Sequence, residues 1–152
     1  MAYTTVEGRQ QLLGALAEAI DEIGLALASL SAAYEQLDIA TADTLEEELF
    51  GPAQRAYGRA KRTHVQFAER HGLAGRVFEP QGAGVPSTGA KGFIDHAVAA
   101  VRAAGGTLAT LQDSPMLLEV GDVELRKGLT EVRELIDEIT PRARELVRRL
   151  GR

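Results

Sequence analysis

Apolar side chains recur at alternating steps of four and three residues through the end of the sequence. These side chains are Leu125, Leu129, Val132, Ile136, Ile139, Ala143, Leu146 and Leu150. Steps of this kind place successive side chains on one face of an α-helix. The series therefore predicts an amphipathic helix over about 119–150, with Pro141 as a point where the helix distorts or restarts.

Three earlier segments show helical periodicity as well. The first is a heptad series that begins at Val6 and continues to Tyr34. The second is preceded by Thr44 and Glu47, which have the spacing of a capping box and so mark a predicted helix start. The predicted ranges of these three helices are 5–38, 44–71 and 88–112.

Four amphipathic helices joined mostly by short connections predict an all-α fold, an antiparallel up-down-up-down four-helix bundle. A chain of 152 residues is expected to form a single domain, 1–152. The exception to the short connections is a long loop rich in glycine and proline, residues 72–89, between helices two and three. Loops of this length are more often functional or disordered than incidental. Additional apolar positions beside the main helical stripes predict a homodimer.

The composition excludes several classes of site. Cysteine is absent, which rules out disulfides, thiolate catalysis and cysteine-based metal sites. The longest stretch without a charged residue, Ile23 to Tyr34, has 12 residues, fewer than the roughly 20 of a membrane-spanning helix. Residues 1–11 lack the basic and apolar regions of a secretory signal. We therefore expect a cytoplasmic protein with no membrane partner.

Basic residues are concentrated in helix two and at the end of helix four, although the net charge of the chain is −5. If the helices alternate in direction, both basic runs lie at one end of the bundle and most acidic residues lie at the other. The basic end then includes Arg70, Arg142 and Arg152, and the acidic end includes Asp122. A basic end attracts anions, so it predicts binding of a phosphate-bearing ligand there. The alternative is that these charges only complement the helix dipoles.

A helical wheel separates the residues of helix two into two sets. Three arginines fall on its outward face, whereas two histidines fall beside or within its apolar stripe, and a lysine near the long loop completes the basic set. The candidate ligand-binding residues are Arg55, Arg59, Arg62, His64, His71 and Lys91. The histidines are seven residues apart, about 10 Å along a helix, so one metal ion cannot bind both. No metal or cofactor is expected.

Arg59 and His64 form an R-x-x-x-x-H pattern that resembles the signature of the HEPN ribonucleases. That family also consists of helical bundles, and two of its subunits combine their motifs in one active site. The resemblance implies an RNA-cleaving role for these two residues. In the family the motif lies near the start of a late helix, whereas here it lies within the second.

His96 is expected on the exposed side of helix three. A four-helix bundle with one solvent-facing histidine is similar to the histidine phosphotransfer domains, and this resemblance implies phosphorylation of the imidazole. The family places lysine three residues and glycine four residues after the histidine, positions occupied here by Ala99 and Ala100.

No motif in the sequence specifies a reaction. The leading hypothesis is a non-catalytic helical protein that binds another protein, associates with itself, and takes an anionic ligand at its basic end. A HEPN-like ribonuclease and a phosphotransfer-like signalling protein are the alternatives. Because the net charge is negative, nucleic acid is not the expected partner.

Overall fold

The structure is a computed structural model that describes residues 4–84 and 89–150. Over these residues the chain is helical and contains no strand, which confirms the all-α class. The α-helices are α1 (Thr5–Tyr34), α2 (Ile39–Leu45), α3 (Gly51–Arg70), α4 (Gly89–Asp113), α5 (Pro115–Val120), α6 (Val123–Asp137) and α7 (Ile139–Leu150). A π-helical turn, Glu46–Phe50, joins α2 to α3. The predicted helix start at residue 88 lies outside the described residues.

Short polar side chains begin several of these helices. Thr4 accepts a hydrogen bond from the backbone of α1, Asp38 from α2, and Asp122 from α6. Each side chain satisfies one of the amide groups that a helix start leaves unpaired. The predicted capping box at Thr44 is wrong, because Thr44 lies inside α2 and its hydroxyl donates to the Ala40 carbonyl at 3.1 Å.

The predicted fourth helix, 119–150, is divided into α6 and α7, and the short helix α5 lies mostly before its predicted start. Ser114 caps α5, and Pro115 occupies the first position of that helix, where the missing N–H costs nothing. The chain then breaks at Gly121 and Asp122 before α6 begins. A second break after Asp137 separates α6 from α7, close to the distortion predicted from Pro141.

Contacts between distant residues give the directions of the helices. At the end of α3, Arg70 pairs with Asp122, which stands at the start of α6. Before the start of α3, the carbonyl of Glu48 accepts a hydrogen bond from Arg142 of α7. The end of α3 thus contacts the start of α6, whereas the turn before α3 contacts α7. Helix α3 is therefore antiparallel to the α6–α7 pair.

The long helix α1 is antiparallel to α4. Near its start, Arg9 donates to the carbonyl of Val120, just beyond α4, at 3.0 Å. In its middle, Glu22 accepts a hydrogen bond from Thr107 of α4 at 2.7 Å. These two helices form the most extensive helix pair of the fold, and their facing surfaces supply much of the apolar core.

Helix α1 is antiparallel to α3 as well, since Leu13 lies beside His64 and Gly24 beside Tyr57. Helices α3 and α4 must therefore run in the same direction. The order is up-down-down-up, and the predicted up-down-up-down order is wrong. The physical reason is the long connection, because it returns the chain to the opposite end before α4 begins.

We call residues 73–84 the strap. They have no regular secondary structure and lie along α1, where Arg76 pairs with Asp21 and Gln81 lies beside Gly24. Twelve extended residues can reach about 40 Å, which exceeds the roughly 30 Å length of a 20-residue helix such as α3. The strap is therefore long enough to carry the chain back past α3.

The directions of the helices also change the charge map. Asp122 is predicted at the acidic end, yet it pairs with Arg70, which is predicted at the basic end, and with the neighbouring His71. Arg142 was expected beside Arg70, yet it contacts Glu48 at the other end of α3. The predicted electrically bipolar molecule is wrong, because acidic and basic residues share both ends. Arg152, also assigned to the basic end, lies outside the described residues.

No helix among the described residues is both long enough and apolar enough to cross a membrane.

Candidate functional site

The structure divides the six predicted binding residues among four places. Arg55, Arg59 and Arg62 line one cleft between α3 and α6, with a volume of about 540 Å³. His64 is buried beneath the strap, and His71 is paired with Asp122 at the end of α3. Lys91 is exposed in the first turn of α4 and does not line the cleft. We call the first of these places the arginine cleft.

The arginine cleft follows from the spacing of its arginines on α3. Residues 55, 59 and 62 are separated by four and three positions, so their side chains leave the same face of the helix. Gly58 lies between them, and a side chain added there would meet nothing within 4 Å. Gly58 also lines the cleft, and this part of its surface is therefore open.

Arg59 is held in place more firmly than its two neighbours. Its Nε donates to Glu131 of α6, and its Nη1 donates to the Thr63 hydroxyl at 3.1 Å. That hydroxyl donates in turn to the carbonyl of Arg59 at 2.8 Å. Arg55 and Arg62 are exposed, and neither takes part in an ion pair within residues 4–84 and 89–150.

Glu131 is the carboxylate that lines this cleft. The hydrogen bond from Arg59 lowers the pKa of Glu131, and the nearby charges of Arg59, Lys127 and Arg62 lower it further against a smaller opposing effect of burial. Three cationic groups thus act on one ionised carboxylate. The local excess of positive charge is available to an anion from outside the chain.

His71 belongs to a separate cluster with Arg70 and Asp122. Arg70 donates from Nε and Nη2 to the two oxygens of Asp122, each at 2.9 Å, and His71 Nε2 lies 2.8 Å from Asp122 Oδ2. The same carboxylate accepts the backbone N–H of Leu125 at 2.7 Å. This cluster joins the end of α3 to the start of α6, which is a structural role.

The pKa of Asp122 reflects these bonds. Burial raises it, but the hydrogen bonds from Arg70, from the Leu125 backbone and from His71 outweigh that effect and lower the pKa from 3.8 to about 2. A carboxylate with a lowered pKa stabilises the fold fully above its unfolded pKa, and this stabilisation is lost as the pH falls through the folded value.

Asp122→Asn tests this cluster, because asparagine can still cap α6 but carries no charge. We expect the free energy of unfolding to fall by about 1 kcal/mol at pH 7, after allowance for solvent exposure. The difference from the wild type should shrink between about pH 4 and pH 2. Urea unfolding followed by circular dichroism at several pH values measures this difference in the free energy of unfolding. Asp38→Asn is the control, since Asp38 caps α2 and forms no ion pair with any residue that the structure describes. A difference that persists unchanged at pH 2 would contradict the assignment.

His64 is almost fully buried, with 2% of its surface exposed. Its ring contacts Phe78 of the strap edge-on, with the centroids 5.2 Å apart. Burial lowers the pKa of His64, the Leu13 backbone raises it in part, and the charge of Arg76 lowers it. Its Nδ1 has no hydrogen-bond partner among the described residues. Because its ring lies beside the Leu13 backbone of α1 and the Phe78 ring of the strap, the imidazole is on the α1 side of α3, away from the arginine cleft.

This arrangement argues against a ribonuclease site built from Arg59 and His64. The guanidinium of Arg59 turns towards α6, whereas the imidazole of His64 turns towards α1 and is covered by Phe78. His96, the phosphotransfer candidate, is exposed on α4 as expected, and its ring centroid lies 6.4 Å from that of Phe93.

Sequence reasoning missed the second wall of the arginine cleft. The α6 residues that line it, Glu131 and Leu135, are four residues apart and so lie on one face of that helix. This spacing could be seen in the sequence, but it did not indicate that α3 would be the neighbour of α6. Within the described ranges 4–84 and 89–150, no group of three or more histidine, aspartate or glutamate side chains is arranged to hold a metal ion.

Comparisons with protein-family models, with curated proteins and with solved structures find no match to this chain.

Proposed function

We propose that this chain is a non-catalytic binding protein and that the arginine cleft binds a phosphate-bearing ligand. Arg55, Arg59 and Arg62 would contact the phosphate oxygens, and Lys127 would add to the positive potential. The observation that carries the proposal is that three arginines of one helix face share a cleft with a single carboxylate, Glu131.

The chemistry of arginine suits a phosphate group. A guanidinium presents parallel N–H donors whose spacing matches two oxygens of a phosphate or a carboxylate. The pair with Glu131 and the bond to Thr63 hold Arg59 in one orientation, so less side-chain freedom is lost when a ligand binds. Arg55 and Arg62 are exposed on either side and can close on the ligand from two directions.

Binding without catalysis fits the surroundings of this cleft. Its lining residues are Arg55, Gly58, Arg59, Arg62, Glu131 and Leu135. Glu131 is occupied by Arg59, and its lowered pKa makes it a poor proton donor and a weak base. The exposed His96 lacks the lysine and the glycine that the phosphotransfer family places three and four residues after its histidine, so we do not propose phosphotransfer.

The test measures binding of inorganic pyrophosphate by isothermal titration calorimetry. The double variant Arg55→Glu/Arg62→Glu leaves the pair between Arg59 and Glu131 in place and should weaken binding roughly tenfold or more. Glu131→Gln removes the carboxylate that competes with the ligand for the arginines and should strengthen pyrophosphate binding. Both effects should diminish as salt is added, because exposed charges are screened.

The matched control is Arg144→Glu/Arg149→Glu, which makes the same change of net charge on α7. Equal weakening in this control would show that only the overall charge matters and would contradict the proposal, as would absence of pyrophosphate binding to the wild type. Light scattering on the same samples tests the proposed homodimer, for which a strict monomer is the opposing result. A protein partner and a cytoplasmic location also remain proposals.

A further inference from the structure

A second cleft lies on the other side of α3, under the strap. It has a volume of about 430 Å³ and is enclosed by α1, the π-helical turn, α3 and the strap. Tyr57 and Lys61 supply the α3 wall, and on a helical wheel they lie on nearly the opposite side from Arg55 and Arg59. We call it the strap cleft. It is independent of the arginine cleft and of the function proposed for it.

The strap cleft exists because the strap approaches α1 closely at a glycine. A side chain added at Gly24 would come within 3.2 Å of Gln81 and within 3.3 Å of the Tyr57 ring. Because the strap and α1 approach each other closely at Gly24, the strap lies along α1 and leaves a space unfilled further along the helix. Leu27 and Ala28 of α1, both half-buried, form the base of that space.

The strap is anchored at the other end by Arg76. Its guanidinium pairs with Asp21 at 2.9 Å and lies 4.7 Å from the centroid of the Phe78 ring. Phe78 rests in turn on the buried ring of His64. These contacts fix the position of Phe78, which forms one edge of the cleft. The cleft is therefore held open by the fold and does not depend on a ligand.

The lining of the strap cleft combines aromatic rings with one cation. Phe50, Tyr57 and Phe78 are half-buried and face the space. The ammonium of Lys61 lies 4.2 Å from the centroid of the Tyr57 ring. None of the ion pairs in the described part of the chain involves Lys61. The nearby carboxylate of Asp21 is already paired with Arg76.

We propose that the strap cleft binds a small aromatic carboxylic acid, with its ring among Phe50, Tyr57 and Phe78 and its carboxylate on Lys61. Pockets for small molecules commonly have volumes of about 300–1,000 Å³, are mostly apolar and carry a few polar groups that orient the ligand. The strap cleft has this size and composition. Its single unpaired cation makes an acid the complementary ligand, and its three rings favour an aromatic one.

The test uses 2-naphthoate as the probe and 2-naphthamide as its neutral counterpart. Titration followed by backbone amide shifts should show 2-naphthoate at Gly24, Ser31 and Tyr57, with weaker binding of the amide. Lys61→Gln should weaken binding of 2-naphthoate about fivefold or more and leave the amide unchanged. Ala28→Phe should fill the base of the cleft and remove binding of both compounds.

Arg62→Gln is the matched control, since it removes one cation from the neighbouring position on the other side of α3. It should leave binding of 2-naphthoate unchanged. The proposal is overturned if the wild type does not bind 2-naphthoate at millimolar concentration, or if Arg62→Gln weakens binding as much as Lys61→Gln. Amide shifts confined to the arginine cleft would overturn it too. Circular dichroism confirms that each variant is folded before these comparisons are made.

Discussion

Replacing Phe67 by alanine is expected to lower the free energy of unfolding by about 3–5 kcal/mol. Phe67 lies on α3 and has no exposed surface, so the substitution removes a large apolar side chain from the core and leaves a cavity. The surrounding helices can collapse only partly into that space, which adds to the lost transfer free energy.

Phe67 also supports the cluster that joins α3 to α6. Its ring centroid lies 4.6 Å from that of His71 and 5.9 Å from the Arg70 guanidinium carbon. Loss of the ring should therefore loosen both side chains that hold Asp122. A Phe67→Ala/Asp122→Asn double variant should lose less stability than the sum of the two single variants, because the residues share contacts.

Urea unfolding followed by circular dichroism measures the effect of Phe67→Ala. Phe78→Ala is the matched control, since Phe78 is half-buried on the strap and belongs to no helix. It should cost clearly less stability than Phe67→Ala. Equal losses for the two variants would mean that the strap is as much a part of the core as α3.

Apolar periodicity predicted the long helical segments and the buried face of the last one. It did not predict α2 and most of α5, and Val6 and Tyr34 at the ends of the first heptad series are exposed. The series from Leu125 to Leu146 is buried as predicted, even though the helix is interrupted after Asp137. Periodicity is a property of one segment, however, and it does not say which other segment will cover its apolar face. The pairing of α1 with α4 and of α3 with α6 is settled by packing between residues far apart in the chain.

The directions of the helices could not be predicted either, because they also depend on contacts between residues far apart in the chain. The alternating order assumed that the connection after α3 turns back at once, whereas the strap follows α1 to the far end of the bundle. The contacts that guide it are single side chains, Arg76 on Asp21 and Phe78 on His64. Nothing in the local sequence of the strap identifies those partners.

The candidate sites, too, could be predicted only in part. The shared face of Arg55, Arg59 and Arg62 followed from their spacing on α3 and could be predicted. The second wall of the arginine cleft, with Glu131, could not be predicted without knowing that α6 is the neighbour of α3. The strap cleft was hidden for the same reason, since its walls come from four segments of the chain.

Gly128 is expected to be the most sensitive glycine of the helices. It is buried on α6 where that helix meets α3, and a side chain added there would come within 2.4 Å of the Thr63 hydroxyl and 2.7 Å of its methyl group. Threonine is branched at Cβ and has few rotamers on a helix, so it cannot move aside easily. Gly128→Ala must therefore push α3 and α6 apart.

We expect Gly128→Ala to lower the free energy of unfolding by about 1–3 kcal/mol. This sign is opposite to that of helix propensity, which favours alanine over glycine by about 0.5–1 kcal/mol. Gly106→Ala on α4 is the matched control, because an added side chain there meets nothing within 4 Å. It should stabilise the fold by the amount that propensity predicts, and thermal and urea unfolding of both variants give the comparison.

A second substitution distinguishes a steric clash from any other cause of the loss. Thr63→Ala removes the hydroxyl and the methyl group that the new side chain would strike, and leaves a Cβ at 3.1 Å. The double variant Thr63→Ala/Gly128→Ala should therefore recover part of the stability that Gly128→Ala loses, although Thr63→Ala alone also removes the hydroxyl that accepts from Arg59. If the two losses simply add, α3 and α6 do not meet at this glycine. In that case the arginine cleft, whose two walls are these helices, would have a different shape.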